Sequence, residues 1–309
     1  MDGSRLDTDR PNQALSGRYR LERPLGSGAM ATVWLAHDER HGRPVALKVL
    51  RPELAAAIGP ERFLREIRVL ANLHHPNILP LHDSGEAGGH LFFVMPYVNG
   101  ESLRERLRRE KQLPIEDAVS LTAEIAGALG HAHRQGIVHR DIKPENIVLQ
   151  DGHALVADFG VALAVRHADD ERLTEAGLNL GTPQYMSPEQ AAGDAEPGSQ
   201  SDLYSLGCLL YEMLTGEPPQ HAPTRTALIA QILAGAVRPV RTLRETVPSH
   251  VEAALAKALA RLPADRFRSA DAFASALARD LAVRGDAARL LPCDLAGPQM
   301  ARVSGSRQG

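Results

Sequence analysis

Apolar and polar residues alternate along much of the first third of the chain, which is the pattern of half-buried β-strands. Strands are predicted over 18–25, 32–36, 45–50, 78–82 and 91–98. Between the third and the fourth of these, Phe63, Ile67 and Leu70 recur at helical spacing, which predicts a helix over 60–73. We therefore expect a small sheet that carries one helix.

The pattern changes to helical spacing after Asn99-Gly100. A long amphipathic helix is predicted over 113–135, with Pro114 at its start and Gly136 at its end. Further helices are predicted over 199–215, 224–234, 248–262 and 269–284. The expected organisation is a sheet lobe over 18–98 and a larger helical lobe over 99–284. The segments 1–17 and 285–309 show no such pattern and are predicted to be flexible tails.

Composition excludes several classes of protein. The 309 residues are 43% hydrophobic and 24% charged, which is ordinary for a globular chain, and the net charge of -3 argues against a nucleic-acid binder. The two cysteines, Cys208 and Cys293, allow neither a disulfide framework nor a cysteine-based zinc site. The N-terminus lacks a signal-peptide core, and no apolar segment approaches the roughly 20 residues of a membrane span. We therefore expect a cytoplasmic protein with no membrane anchor.

Most of the chemical information lies in the segment 139–146, His-Arg-Asp-Ile-Lys-Pro-Glu-Asn, and in Asp158-Phe159-Gly160. Short apolar runs at 147–149 and 154–156 predict a strand hairpin that brings these polar residues to one edge. One carboxylate, Asp141, can take a hydroxyl proton, while Asn146 and Asp158 can hold divalent cations. The spacing therefore suits chemistry on a metal-bound phosphate.

The segment 26–31 matches a glycine-rich phosphate loop, with Ala31 where a third glycine often lies. Alone, it indicates a plain tight turn about equally well. A dinucleotide-binding unit would continue into a helix and carry an acidic residue about 20 positions later. Here a strand follows, and the residue twenty after Gly28 is Lys48. The Gly-Lys-Ser/Thr ending of a P-loop is absent, so the pattern favours a hairpin flap over a triphosphate.

Lys48 lies in the middle of a predicted strand between apolar neighbours. A solvent-facing lysine is the simpler interpretation of an isolated case, but the flap one strand earlier favours a phosphate-binding role. A lysine on the buried side also needs an acidic partner. Glu66, in the helix 60–73, is the candidate, with an exposed helical glutamate as the alternative. The basic run 104–109 is interpreted as a solvated helix face.

These motifs resemble those of bacterial serine/threonine protein kinases of the eukaryotic-like (Hanks) type over roughly 18–284. The resemblance implies an α+β, two-lobed protein kinase-like fold, with a small antiparallel β-sheet lobe bearing one regulatory helix and a larger, mainly helical lobe. It implies ATP with Mg²⁺ or Mn²⁺ as cofactors. It also implies that Ser/Thr hydroxyls of proteins accept the phosphate.

Catalytic roles follow from the resemblance for four residues: Lys48, Glu66, Asp141 and Lys143. Lys48 would hold the α and β phosphates and pair with Glu66, which the family pattern Phe-x-x-Glu-Ile-x-x-Leu selects. Asp141 would orient the substrate hydroxyl, Lys143 would steady the transferred group, and Asn146 with Asp158 would bind the metal. The nucleotide would also contact residues of the flap, the neighbouring strands and the linker: Leu25, Gly26, Ser27, Gly28, Ala29, Met30, Ala31, Val33, Ala46, Met95 and Val98.

The segment 181–189, Gly-Thr-Pro-Gln-Tyr-Met-Ser-Pro-Glu, resembles the polypeptide-docking end of a kinase activation segment, with Ser187 where alanine is commoner. The resemblance implies a buried ion pair between Glu189 and Arg266. Asp202 would brace the backbone of the catalytic loop, and His139 would pack on Phe159 in a structural role. Lys143 and Thr182 together indicate serine/threonine specificity.

Regulation is expected around Arg140, which invites an anionic partner from the activation segment. Thr174 is the predicted autophosphorylation site, although four acidic residues nearby would repel its phosphate. An unmodified loop threonine is the alternative. A transient homodimer could carry out the transfer between two copies.

Two other functions remain open. A pseudokinase scaffold would usually lack one of the ionic groups that are all present here. A small-molecule phosphotransferase would not need the docking segment 181–189.

Overall fold

A computed structural model of the chain describes residues 15, 17–28, 30–159, 183–194 and 196–278. Three predicted site residues lie outside this range, namely Ala29, Thr174 and Thr182. Both predicted tails, apart from Leu15 and Gly17, also lie outside it.

The first lobe is a five-stranded antiparallel sheet in the order β1-β2-β3-β5-β4. Its strands are β1 (Tyr19–Ser27), β2 (Ala31–Asp38), β3 (Arg43–Leu50), β4 (Asp83–Ala87) and β5 (His90–Pro96). One face is buried by residues of β1, β2, β3 and β5, together with Leu15, which precedes β1. The strand residues are Tyr19, Ala36, Val45, Leu47, Val49, Phe92 and Val94. The opposite face packs into a larger core that continues through the second lobe.

Two helices, α1 (Pro52–Ile58) and α2 (Pro60–Leu70), connect β3 to β4. The sequence pattern predicted only the second, because α1 is seven residues long and too short to show a helical period. Gly59 separates them with a positive φ of 79°, a conformation that glycine adopts without steric cost. Pro60 then begins α2 at a position that suits its fixed φ.

The predicted strand 78–82 is wrong in position, since β4 begins at Asp83. Ile78 instead forms an isolated parallel bridge with Val156, and the Leu79 amide donates to the Val156 carbonyl at 2.9 Å. The apolar run therefore packs against the second lobe rather than within the first sheet. Local alternation of side chains does not distinguish these two surroundings.

The second lobe begins with a three-stranded sheet formed by β6 (Glu101–Ser102), β7 (Ile147–Gln150) and β8 (His153–Val156). β7 and β8 pair antiparallel with Ile147 opposite Val156, which confirms the predicted hairpin. The segment 139–146 enters this hairpin, and Asp158 follows it two residues after β8 ends.

The remaining described helices build the body of this lobe. They are α3 (Leu103–Glu110), α4 (Ile115–Arg134), α5 (Pro188–Ala191), α6 (Ser199–Thr215), α7 (Arg225–Ala234), α8 (Ser249–Ala258) and α9 (Ala270–Ala278). The centre is α6, which is buried from Ser201 to Thr215 and contacts both α4 and α8. Among the described residues, no helix is both long enough and apolar enough to cross a membrane.

Gly100 lies where the two lobes join, and it approaches the backbone of β7 closely. A Cβ atom added at Gly100 would lie 2.0 Å from the Leu149 carbonyl oxygen. Because that atom belongs to a paired strand, we expect Gly100→Ala to destabilise the protein by about 3 kcal/mol, at the upper end of overpacking costs. Urea denaturation measures this difference.

The matched control is Gly26→Ala, because nothing lies within 4 Å of a Cβ atom at Gly26. We expect the free energy of unfolding of this variant to lie within about 0.5 kcal/mol of the wild-type value, as it does for most exposed substitutions. Equal midpoints for the two variants would contradict the close approach at Gly100.

Candidate active site

The carboxylate of Asp202 binds the backbone at the start of the loop 139–146. Asp202, in the first turn of α6, is fully buried. Its oxygens accept hydrogen bonds from the His139 amide at 2.8 Å, the Arg140 amide at 2.7 Å and His133 Nε2 at 2.7 Å. Three donors and the N-terminal end of a helix stabilise the buried negative charge. Asp202 therefore contacts the backbone that precedes Asp141.

Arg140 and Asp158 both have a φ of 68°, in the left-handed region that residues with a Cβ rarely occupy. Such conformations persist where the surroundings over-determine them, and they cluster at functional sites. Both residues belong to the site predicted from the sequence, since Arg140 directly precedes Asp141 and Asp158 is the second predicted carboxylate.

Asp141, Lys143 and Asn146 meet on one carboxylate oxygen. Lys143 Nζ lies 2.6 Å from Asp141 Oδ2, and Asn146 Nδ2 lies 3.1 Å from the same atom and 2.8 Å from the Asp141 carbonyl. Within the described residues both side-chain donors go to Oδ2. The Asp141 side chain is 40% exposed, so a ligand can reach it.

Lys48 reaches the same site from the sheet lobe. Its Nζ lies 2.6 Å from Asp158 Oδ2, and the two side chains are only 10% and 22% exposed. Burial acts to raise the pKa of the Asp158 carboxyl, but the charge and the hydrogen bond of Lys48, together with the nearby His139 and Lys143, outweigh it, so the net pKa lies below its usual range. Asp158 is therefore ionised at neutral pH.

The ion pair expected between Lys48 and Glu66 is not formed in this structure. Glu66 Oε1 lies 3.5 Å from Arg65 Nη2 on the same helix, while Lys48 pairs with Asp158. A buried ammonium needs one good counterion, and Asp158 needs one as well, so the direct pair satisfies both groups.

His139 is fully buried and its ring is bonded at both nitrogens. Nε2 lies 2.9 Å from the Ala157 carbonyl, and Nδ1 accepts the Asp141 amide at 3.2 Å. The two partners require the Nε2–H tautomer. The ring also meets Phe159 edge-on, with centroids 4.6 Å apart. These contacts link the segment 139–146 to the chain around Asp158.

The glycine-rich turn lies between β1 and β2, as the flap interpretation requires. Gly26 is paired with Val33 and Ser27 with Thr32, and the Gly28 amide donates to the Ala31 carbonyl at 2.9 Å. The Met30 carbonyl accepts the Arg51 amide at 2.9 Å, which fastens the turn to the end of β3.

Several of the residues predicted to contact the nucleotide lie on the sheet and on the linker that follows it. Ala46 on β3 and Met95 on β5 are cross-strand neighbours, and both are buried. Val98, in the linker after β5, is half-buried, and Leu25, on β1, is 38% exposed. The sheet that carries Lys48 therefore also carries apolar residues, the side-chain type that lines most ligand pockets.

Glu189 and Arg266 form a two-pronged ion pair between α5 and the turn 263–266. Arg266 Nη1 lies 2.7 Å from Glu189 Oε1, and Nη2 lies 2.8 Å from Oε2. The remaining guanidinium hydrogens go to the carbonyls of Ala260, Gln200 and Arg261. All of the arginine's donor groups are thus satisfied in a position that is only 2% exposed.

A second charged cluster was missed by the sequence reasoning. Arg104, on α3, is only 17% exposed and lies 2.7 Å from Glu212 Oε1 and 2.8 Å from Glu145 Oε1. It also bonds Tyr185, whose hydroxyl bonds Glu212. The interpretation of 104–109 as a solvated face is therefore wrong for Arg104. The only sequence signal was Glu212, an acidic residue within the otherwise apolar run of α6. The same interpretation is also wrong for Arg106, which is 16% exposed and pairs with Glu110 and Asp117.

The sequence of this chain matches a known family. The family model for the protein kinase domain matches residues 19–277. The chain belongs to the protein kinase family. The predicted family and the two-lobed α+β fold are confirmed.

Several proteins similar to this chain are bacterial. Serine/threonine-protein kinase PknB of Mycobacterium leprae is 41% identical over 264 residues, which cover 83% of this chain and 42% of PknB. Probable serine/threonine-protein kinase pknA2 of Bifidobacterium longum is 38% identical over 263 residues, covering 83% of this chain and 34% of pknA2. Serine/threonine-protein kinase PknH of Mycobacterium bovis is 37% identical, covering 83% and 43%. The chain thus matches about two-fifths of the length of these relatives.

Proposed function

We propose that this protein transfers the γ-phosphate of Mg-ATP to serine and threonine hydroxyls of proteins. The observation that carries the proposal is the convergence of Lys143 and Asn146 on the Asp141 carboxylate, within a site where Lys48 and Asp158 also meet. The relatives, which are named serine/threonine-protein kinases, support the choice of acceptor.

The side chains of the site fit a magnesium nucleotide. Mg²⁺ prefers oxygen ligands, and Asp158 supplies an ionised carboxylate. Asn146 donates through its nitrogen to Asp141, which leaves its amide oxygen for a cation. When bound, Mg-ATP supplies the phosphoryl group and the charge that neutralises its phosphates. Asn146 and Asp158 are thus the proposed metal ligands.

The Asp141 carboxylate is the proposed acceptor of the substrate hydroxyl proton. Lys143 and Asn146 hold Oδ2 and so orient Oδ1 toward an incoming hydroxyl. Lys143 also places a positive charge next to the reacting group, where it can stabilise the charge of the transferred phosphoryl. Positioning of this kind is the main contribution that a protein makes to phosphoryl transfer.

Lys48 and Glu66 have roles that depend on the nucleotide. Lys48 is proposed to bind the α and β phosphates, since its ammonium has three donors and only one of them is needed for Asp158. Glu66, which lies on α2 and is only 15% exposed, is the proposed partner of Lys48 in the nucleotide-bound protein.

The regulatory assignments remain predictions. Thr174 is the proposed autophosphorylation site, Arg140 its proposed contact and Thr182 a proposed determinant of acceptor choice. We further propose protein substrates, transfer between transiently paired copies, and a reduced cytoplasmic location.

Lys48→Met provides the test of the proposed nucleotide site. With γ-labelled ATP and Mg²⁺, we expect label on serine or threonine of the wild type or of a generic protein substrate. We expect a fall of about 10²–10³-fold in the variant, because it loses a charge aimed at the phosphates. Phosphoamino-acid analysis and initial rates measure both results.

Lys257→Met is the matched control, since Lys257 is exposed on α8 and its ammonium lies over the Phe267 ring, 4.8 Å from the centroid. Its rate should equal that of the wild type. Nucleotide binding without transfer to any protein would contradict the proposal and favour a nucleotide-binding scaffold.

A further inference from the structure

Gln190 joins the end of the docking segment to the loop 139–146. It lies on the short helix α5, and its Nε2 donates to the Arg140 carbonyl at 3.0 Å. Its Oε1 accepts the Ser187 amide at 3.0 Å and the Ser187 hydroxyl at 3.1 Å. A backbone amide can only donate and a carbonyl can only accept, so these partners determine the orientation of the side-chain amide.

The carbonyl that Gln190 holds belongs to the peptide between Arg140 and Asp141. The amide of this same peptide, the Asp141 N–H, donates to His139 Nδ1 at 3.2 Å. On the other side of the Arg140 Cα, the Arg140 amide donates to Asp202. Three side chains therefore hold a backbone whose φ of 68° is unfavourable for arginine. Of these three side chains, those of Gln190, His139 and Asp202, only Gln190 is next to the docking segment in the sequence.

We propose that Gln190 is a positioning residue for Asp141, and that it couples the placement of the docking segment to the orientation of the catalytic carboxylate. The proposal rests on the proposed kinase function. Without the hydrogen bond from Gln190, the peptide between Arg140 and Asp141 can rotate. This rotation changes the direction of the Asp141 side chain. A small displacement of a reacting group costs a large factor in rate, whereas binding of nucleotide elsewhere in the site is unaffected.

The variant Gln190→Glu separates this link from the helix cap. Ser187 and Gln190 form a capping box on α5, and glutamate serves equally well as the second residue of such a box. The substituted carboxylate can still accept from Ser187, but it cannot donate to the Arg140 carbonyl. The helix cap is retained, while the donor to the catalytic loop is replaced by a carboxylate oxygen.

We expect Gln190→Glu to lower kcat about tenfold, with KM for ATP and the melting temperature close to those of the wild type. Gln112→Glu is the matched control. Gln112 Nε2 donates to the Thr215 carbonyl at 2.9 Å, so this variant loses the same kind of bond, at the start of the loop before α4. Its kcat should equal that of the wild type.

The pH dependence adds a readout that a general structural defect would not produce. Once protonated, the carboxyl of the Gln190→Glu variant can donate to the Arg140 carbonyl again. The ratio of its kcat to that of the wild type should therefore rise as the pH falls from 8 toward 5.5. The neighbouring charges of Arg140, Glu189 and Arg266 are common to both proteins, so the ratio isolates the substituted group. The Gln112→Glu ratio should stay constant.

Hydrogen exchange at the Asp141 amide tests the same link without turnover. We expect faster exchange in Gln190→Glu than in the wild type and in Gln112→Glu. A wild-type kcat and wild-type exchange in Gln190→Glu would overturn the inference, as would a loss of kcat that is independent of pH and parallels a loss of stability. An inactive wild type with faster exchange in the variant would instead refute the proposed function and retain the link.

Discussion

Replacing Asp141 with asparagine should lower kcat for phosphoryl transfer by about 10²–10⁴-fold, the range that general-base groups contribute. The change removes the proton acceptor but preserves the shape of the side chain. An amide oxygen can still accept from Lys143 and Asn146, which now lie 2.6 and 3.1 Å from Asp141 Oδ2. The melting temperature and the affinity for Mg-ATP should therefore change little. Steady-state kinetics, thermal denaturation and nucleotide titration measure the three quantities.

The control for this variant is Asp151→Asn. Asp151 lies exposed in the turn between β7 and β8 with a φ of 51°, which asparagine tolerates well. Asp151→Asn removes the same charge as Asp141→Asn, but in the turn of the hairpin that follows the loop 139–146. It should leave kcat unaltered. Asp141→Asn with a wild-type kcat would remove Asp141 from the reaction, and equal losses in both variants would indicate a general electrostatic effect.

Arg266→Ala should destabilise the helical lobe by about 3–5 kcal/mol, the usual cost of removing one partner from a buried ion pair. The substitution leaves the Glu189 carboxylate without its main counterion and deprives three backbone carbonyls of their donor. It also removes the guanidinium from the Tyr204 ring, whose centroid is 4.9 Å away. Urea denaturation measures the free energy of unfolding.

Arg134→Ala makes the same substitution in an exposed ion pair. Arg134 Nη1 lies 3.0 Å from Asp271 Oδ2, but the two side chains are 62% and 64% exposed. This pair should contribute less than about 1 kcal/mol. A similar loss of stability in the two variants would refute the assigned importance of burial at Arg266.

The Glu189–Arg266 pair also gives the stability a defined pH dependence. Burial acts to raise the pKa of the Glu189 carboxyl, but hydrogen bonds from Arg266 and Ser201 lower it by more, so the net pKa is below its usual 4.5. A carboxyl with a lowered folded-state pKa stabilises the protein above its unfolded-state pKa. This contribution should disappear as the pH falls from about 4.5 through the folded-state value. Arg266→Ala should show a shallower loss of stability over that window.

Much of the fold could be predicted because it depends on local patterns. The strands around Val45–Leu50 and Leu91–Met95 alternate or run apolar, and α4 begins and ends beside the expected proline and glycine. By contrast, α1 is too short to show a period. Continuous burial of α6 likewise leaves no polar face to define its orientation. Residues 78–82 failed as a strand because their partner, Val156, is distant in the sequence.

The candidate site could be predicted residue by residue but not contact by contact. The segment 139–146 already carries the carboxylate, the lysine and the amide that meet on Asp141 Oδ2. The pairing of Lys48 with Asp158 in this structure was not predicted, because a sequence offers several acidic residues and only the packed structure decides which lies nearest. Arg104 was misinterpreted for a similar reason, since its neighbours Glu145 and Glu212 come from other parts of the chain.

The sequence by itself determined the family, the two lobes and the polar residues that meet at Asp141, because each is expressed in residue types at short spacing. Only the tertiary structure decided which charges pair, which arginine is buried and how Gln190 reaches the Arg140 carbonyl. These contacts join residues separated by 41 to 110 positions. The choice among such partners depends on burial and distance, which local patterns do not record.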